Sequence, residues 1–375
     1  MRGVASPLLP MNRYPSLDMN KTKTPIPPTP TLNGEPTTDL RHVLHAPDLD
    51  RSAWRRIVES AVLHKRADAR NTGAAAGKTI GLLFFNPSLR TRTSMEVAAA
   101  HLGASSTTLT PGEGTWNLAW EDGAVMDGDA AEHVREAIGV LSRYHDALGV
   151  RVFASGSDYE ADASDELIRK VADVATVPVI NLESAWAHPC QAVSDAATLT
   201  DHFDGDLEGK KFVLSWATHP KALPMAVPNS TVKMAAQCGM DVTVARPETH
   251  ALDSRVMAQA QELADPHGGT VSTTDDLDAA VQDADVVYAK SWGGPLVYTD
   301  PEKEAAARAQ HTDWRITETR MQATNEAAFL HCLPVRRNVV VDDAVLDGPH
   351  ACHLDQAEYR LHAQKALLEY VWDIA

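Results

Sequence analysis

Two rhythms of apolar residues run along this chain. From residue 39 the stretch LRHVLHAPDLDRSAWRRIVESAVLHKRADAR has helical spacing and predicts two successive helices, with Asp50 or Ser52 capping the second. Residues 78–85 (KTIGLLFF) are a continuous apolar run of strand length, and helical spacing returns after Pro87 through Val97, Ala100 and Leu102. Further strand-length runs occupy 147–153, 177–182, 211–216, 241–245, 285–290 and 328–333, with helical stretches between them. Strands alternating with helices predict an α/β fold built of parallel sheets covered on both faces.

A helical stretch at 191–203 joins two such sets, and the turn-rich segment 204–209 opens the second. The expected organisation is a disordered extension at 1–37, a first α/β domain at 38–190, the linking helix at 191–203, a second α/β domain at 204–350 and a C-terminal segment at 351–375. The pattern at 354–372 is amphipathic, so this last helix is expected to pack back on the first domain and brace the two halves. The first stretch contains PIPPTPT and too few apolar residues to build a core, and Met11 and Met19 are alternative starts within it.

Acidic residues outnumber basic ones by 51 to 34 in 375 residues, a formal charge of −17, which disfavours nucleic acid and anionic membranes as partners. The acid excess is spread along the chain, which predicts a heavily hydrated surface of the kind a salt-rich habitat selects. There is no apolar leader and no run of spanning length, so the expected compartment is the cytoplasm. Cys190, Cys238, Cys332 and Cys352 form neither a CxxC pair nor a zinc spacing, so neither disulfides nor a metal knot is expected.

Gly73-Ala-Ala-Ala-Gly77-Lys78-Thr79 imitates a Walker loop but is one residue short and precedes its strand; no GxGxxG opens a helix after a strand. Nucleotide hydrolysis and dinucleotide redox chemistry are thereby disfavoured. A better anion site is Ser88-Leu89-Arg90-Thr91-Arg92-Thr93, at the junction of strand and helix. Free N–H groups, hydroxyls and a guanidinium fork combine there into a phosphate cradle. Read alone, the same residues also describe a capped helix with two surface arginines. His188-Pro189-Cys190-Gln191 follows the run PVINLE, where a histidine and an amide can address a carbonyl. His331-Cys332-Leu333-Pro334 ends the last run, with Arg336 and Arg337 behind it; alone, each of these segments is also an ordinary turn or strand end.

In this order and at these intervals, SxRTR, HPxQ and HCLP resemble the aspartate/ornithine carbamoyltransferase family from about residue 40 to the end of the chain. The resemblance implies a carbamoyl-phosphate-binding first domain, an amino-acid-binding second domain, a homotrimer with active sites shared between subunits, and no metal or organic cofactor. Ornithine enzymes of the family read STRTR where this chain has Leu89 after Ser88, and they carry DxxxSMG, which is missing here. Tyr288-Ala289-Lys290-Ser291-Trp292-Gly293 and the Pro-rich loop 219–230 look instead like the N-acylornithine branch. In that branch the loop resembles one through which the chain threads to form a knot.

Carried over position by position, the resemblance puts carbamoyl phosphate against Ser88, Leu89, Arg90, Thr91, Trp116 of a neighbouring subunit, Arg151, His188, Pro189, Cys190, Gln191, Cys332, Leu333 and Arg360. The acceptor, an N-acyl-L-ornithine, would meet Glu183, His219, Lys290, Leu333 and Arg336. Arg90, Arg151, His188 and Gln191 form the implied catalytic set, and all four are present, against a catalytically silent binding subunit. In the branch the acyl group is set just after MDGD, where acetyl enzymes have glutamate, succinyl enzymes have proline, and this chain has Ala131. A small neutral residue leaves room for a second carboxylate. LPMAVPNS in the Pro-rich loop, four residues between Glu183 and His188, and Val340 where acetyl enzymes can carry lysine lean the same way, so the expected acceptor is N-succinyl-L-ornithine, with N-acetyl-L-ornithine the alternative.

Overall fold

The computed structural model describes residues 40–374, and the expected disordered extension lies outside the described residues. Two parallel sheets carry the fold. The first holds β1 (Thr79–Phe84), β2 (Ser105–Leu109), β3 (Ala147–Arg151) and β4 (Val179–Glu183) in the order β2-β1-β3-β4. The second holds β5 (Lys211–Trp216), β6 (Asp241–Ala245), β7 (Val271–Thr274), β8 (Val286–Lys290) and β9 (Ala328–Leu330) in the order β9-β8-β5-β6-β7. The runs predicted from the sequence include all five interior strands, β1, β3, β5, β6 and β8, which helices cover on both faces, together with the edge strands β4 and β9. Within these two sheets the pattern did not predict SSTTL and VSTT, and both are edge strands, where one side of the ladder is open and polar residues are tolerated.

One predicted helix is not there. Residues 40–49 contain only a short turn at Ala46–Asp48, and Val43 instead runs alongside β4, exchanging backbone bonds with Val179 and Asn181. Its apolar residues are buried as an added edge to the sheet, a long-range pairing that local spacing cannot show. The next helix forms as predicted, α1 (Arg51–Arg66), with the Asp50 carboxylate accepting from Ala53 N at 2.8 Å.

The helices that place the chemistry are α2 (Arg90–His101), α3 (Pro189–His202), α4 (Ala226–Gln237) and α5 (His353–Trp372). Proline at the first position of α3 costs no hydrogen bond and fixes its start. α5 packs on α1, α2 and α3, so the C-terminal helix does return to the first half of the chain. It is buried on more than one face, with His353, Tyr359, Leu367 and Trp372 all inside. α3 is buried from Pro189 to Leu199 and touches both α5 and α4, so the two sheets share one continuous apolar core around it. No helix among the described residues is long and apolar enough to cross a membrane.

Candidate active site

In an open parallel sheet the strand order reverses at one point, and the loops leaving the strands' carboxyl ends on either side splay apart into a crevice. This chain has two such points, between β1 and β3 and between β5 and β8. The loop after β1 carries Ser88 and leads into Arg90 and Thr91 at the start of α2; Arg151 ends β3 and Glu183 ends β4. The loop after β5 carries His219, Lys290 ends β8, and Cys332 and Leu333 follow β9. All of these meet His188, Gln191, Arg336 and Arg360 around one cavity of about 560 Å³.

Five cations, Arg90, Arg151, Lys290, Arg336 and Arg360, line this space with a single carboxylate, Glu183. Arg151 pairs with Glu183, and the other four have no carboxylate partner among the described residues. A chain of net negative charge has therefore concentrated unpaired positive charge in one half-enclosed place, as a site for a small multiply charged anion requires. At its floor, the start of α2 aims unpaired N–H groups outward, while Ser88 Oγ accepts from Thr91 N at 3.2 Å. Burial lowers the Arg90 guanidinium from its ordinary value, with repulsion from Arg151 adding to it.

Glu183 sits at an irregularity where β3 and β4 slip in register and pair it with Arg151; its φ of 141° is a conformation that side-chain-bearing residues rarely adopt. The bulge turns its carboxylate onto the Arg151 guanidinium and 3.5 Å from His188 Nε2. Phe153, 4.4 Å from that guanidinium at its ring centre, backs Arg151 from the other side. His188 is held far below the usual histidine range, by burial first and then by Arg360, Arg151 and Arg90, so it is a neutral imidazole. Its Nδ1 is buried without a partner.

Arg360, reaching in from α5, donates to Gln191 Oε1 at 2.8 Å and to Thr91 Oγ1 at 2.9 Å, tying the start of α2 to the start of α3. Arg336 donates from Nε to His219 Nε2 at 2.9 Å. That bond requires a neutral ring, in keeping with burial and the charges of Arg336 and Lys290, which lower this histidine. The His219 proton is then on Nδ1, donated to Lys221 O at 2.8 Å. Leu333 has φ 55°, a left-handed turn that presents its backbone to the cavity.

Not every residue singled out in the sequence lines the cavity. Leu89 is 77% exposed and faces away from it, Pro189 starts α3, and Cys190 is a buried thiol bonded to Asn181 O, raised to about 11 by burial. Trp116 and Ala131 lie on an exposed arm outside this chain's own cavity, where Trp116 Nε1 donates to Glu132 at 2.7 Å. Conversely, Phe153, Leu223, Pro224, Val227, Pro334 and Val335 line it and were not singled out. Leu223 and Pro224 belong to the noted Pro-rich loop, and Pro334 to HCLP, so the segments were visible where the individual wall residues were not.

Fold and cavity together define an enzyme that handles small, multiply charged anions between two parallel-sheet α/β domains. Residues 41–201 match the family model for the carbamoyl-P binding domain of aspartate/ornithine carbamoyltransferase, and residues 225–371 that for its Asp/Orn binding domain. The chain belongs to the aspartate/ornithine carbamoyltransferase family, within the branch that holds the N-acylornithine enzymes, and is a carbamoyltransferase.

It is 43% identical to the N-acetylornithine carbamoyltransferase of Xanthomonas campestris pv. campestris over 331 residues, covering 88% of this chain and 97% of that one. With the N-succinylornithine carbamoyltransferase of Bacteroides thetaiotaomicron the identity is 35% over 283 residues, covering 76% of this chain and 84% of the other. Among solved structures, acetylornithine transcarbamylase complexed with acetylcitrulline superposes with a TM-score of 0.85 at 42% identity, over 88% of this chain and 99% of that one. A glutamate-to-alanine mutant of N-acetyl-L-ornithine transcarbamylase, complexed with carbamyl phosphate and N-succinyl-L-norvaline, has the same score and identity, over 88% of this chain and 100% of that one.

Proposed function

We propose that this enzyme moves the carbamoyl group of carbamoyl phosphate to the δ-amine of an N-acyl-L-ornithine, giving N-acyl-L-citrulline and phosphate for arginine biosynthesis. The observation that carries this reading is the cavity itself, with five cations to one carboxylate at the carboxyl ends of two sheets. The phosphate lies against Ser88, Arg90, Thr91 and Arg360; the carbamoyl group meets Arg151, His188, Gln191 and the backbone at Cys332 and Leu333. The acceptor's α-carboxylate meets Lys290 and Arg336, with Glu183 beside the reacting amine. The neutral δ-amine attacks the carbonyl carbon, a C–N bond forms, and Arg151 and the His188 N–H stabilise the tetrahedral oxyanion. The C–O bond to phosphorus then breaks, and the departing phosphate takes the amine proton.

For the acyl group we take N-acetyl-L-ornithine as the first reading. Relatives of that name match at 43% over 88% of the chain, ahead of succinyl-named relatives at 35% over 76%. This reverses the order expected from Ala131 and its companions, since identity over the whole chain weighs more positions than the few that favoured succinyl. Succinyl remains a second reading on one specific ground. Alanine, proline, serine and valine mutants of a glutamate in N-acetyl-L-ornithine transcarbamylase were crystallised with N-succinyl-L-norvaline, and Ala131 stands where the branch's acetyl enzymes carry glutamate. The test is phosphate release from carbamoyl phosphate with N-acetyl-L-ornithine, N-succinyl-L-ornithine and free ornithine in parallel. Turnover with neither acylated acceptor overturns the function; a preference for succinyl that Ala131→Glu reverses establishes the second reading.

The same reading includes a homotrimer with shared sites. Its support is the arm that carries Trp116 and Ala131 outside this chain's own cavity, with Trp116, Val125 and Met126 all exposed on it. If the arm completes a neighbour's site, mixing inactive Trp116→Ala and Arg151→Ala subunits restores part of the activity. No restoration after subunit exchange argues against sharing.

A further inference from the structure

Behind the cavity wall, buried side chains form one continuous run of hydrogen bonds. It starts at Thr91 and passes through Arg360 to Gln191 Oε1. The other end of the Gln191 amide, Nε2, donates to Asp195 Oδ1 at 2.7 Å. Gln356 on α5 donates from Nε2 to the same oxygen at 2.6 Å and to Tyr288 Oη at 3.1 Å, and its Oε1 accepts from His331 N at 2.9 Å. His331 Nδ1 accepts from Leu333 N at 2.9 Å, which brings the run to the second domain's side of the cavity.

Asp195 is the node of this run. It is fully buried, does not line the cavity, and holds both glutamine amides through one oxygen. A glutamine amide is a donor at one end and an acceptor at the other, and only its surroundings decide which end faces which way. An acceptor one helical turn on, at i+4, claims the NH₂ end of Gln191 and leaves the oxygen for Arg360 and the cavity. Without Asp195 nothing in this run tells the two orientations apart except Arg360 itself, which a turned amide would confront with a second donor. Gln356 carries the same constraint to His331 and so to the backbone of Leu333.

We propose that Asp195 is a positioning residue for carbamoyl transfer. By fixing the Gln191 amide it keeps Oε1 directed at the NH₂ of the carbamoyl group, and through Gln356 it sets the HCLP loop in the same register. The inference rests on the reading of the cavity as a carbamoyl-phosphate site. Burial raises this carboxyl to about 7, so it is partly protonated near neutrality and its role is that of an oriented acceptor more than that of a charge.

Asp195→Ala is therefore expected to raise the KM for carbamoyl phosphate about tenfold or more, the size of a hydrogen bond to a charged group converted to affinity. Asp195→Asn, whose Oδ1 can still accept from both amides, should recover most of that loss. In a double-mutant cycle with Gln191→Ala the two penalties should fall well short of adding, because the larger part of the Asp195 effect passes through that amide and only the Gln356 branch remains. Should Asp195→Ala fold poorly, Gln356→Ala cuts the run from the other side and is expected to raise the same KM. A carbamoyl phosphate KM unchanged in these variants, or a penalty that adds in full to that of Gln191→Ala, overturns the proposal. Wild-type turnover, measured first, separates the two layers: its absence sinks the substrate reading, whereas normal variants of an active enzyme sink only the positioning role.

Discussion

Lys290 offers the sharpest test of how the second domain holds its substrate. It ends β8 at 8% exposure, beside His219, His331 and Cys332, and no carboxylate among the described residues pairs with it. A buried ammonium without a counterion is costly to maintain, and its cost is recovered when an anion arrives. Replacing it with methionine keeps the length and apolar stem of the side chain and removes only the charge. A hydrogen bond to a charged group contributes about 1.5–3 kcal/mol, so kcat/KM for the N-acylornithine should fall about 10- to 150-fold. The KM for carbamoyl phosphate should move by less than about twofold, because the phosphate cradle lies at the other switch point.

The assay is steady-state kinetics with each substrate varied in turn, repeated with the N-acylated 1,4-diamine that lacks the α-carboxylate. Wild-type enzyme should discriminate strongly between the two acceptors, and Lys290→Met should lose that discrimination by the same factor it loses in kcat/KM. Equal losses on both acceptors would mean that Lys290 does not read the carboxylate. A rise in the carbamoyl phosphate KM alone would place it on the wrong substrate altogether.

Three other outcomes follow from the same geometry. Arg90→Ala should abolish turnover, measured as phosphate release, since it removes an unpaired guanidinium from the phosphate loop; near-normal activity would take that loop out of the site. His219→Ala frees the Arg336 guanidinium that it holds at 2.9 Å, and the loss of this one solvent-exposed hydrogen bond, about 0.5–1.5 kcal/mol, should raise the acceptor KM roughly two- to tenfold with kcat largely kept. Acid should destabilise the fold: His188 and His331 are held far below the ordinary histidine value of about 6.5 and His362 at about 4, all chiefly by burial. The unfolded chain therefore binds protons that the folded chain refuses, so stability present above pH 6.5 is lost as pH falls toward 4. Asp195, raised to about 7, opposes this with stability that is lost as pH rises toward 7, but it is one group against several histidines lowered by burial. Urea midpoints at pH 7, 6 and 5 should decrease in that order, with a shallower slope in His362→Gln, and a flat series would refute the assignment.

Much of the fold was legible because strands covered on both faces are apolar, and seven of the nine in the two sheets, five interior and two at edges, announce themselves as apolar runs. What escaped was decided at long range. Ser105–Leu109 and Val271–Thr274 are strands because a neighbour's open edge pairs them, and their Ser and Thr side chains show no apolar run to announce it. Val43 has helical company in sequence, yet its backbone bonds are with Val179 and Asn181, 136 and more positions away. Local spacing carries no information on which distant edge is vacant, so both errors have one cause.

The site shows the complementary limit. Its motifs were readable because strand ends and helix starts are fixed by local sequence, and the switch points then bring Ser88, Arg151, His188, Lys290 and Leu333 into one wall whatever their separation. Asp195 and Gln356 gave no such signal, although Asp195 stands at i+4 from Gln191 on the same buried helix, where an acceptor for its amide had to be sought once the helix was assigned. Whole-chain charge was no guide either. An acid excess of 51 to 34 describes the surface, while the cavity inverts it with five cations to one carboxylate. On the proposed reading, binding of carbamoyl phosphate and of the acceptor's α-carboxylate therefore depends on charges placed at short range inside the cleft. At such range a single buried ammonium such as Lys290 outweighs the distant carboxylates, because Coulomb attraction falls with distance and solvent and salt screen charges spread over the surface far more than one at contact.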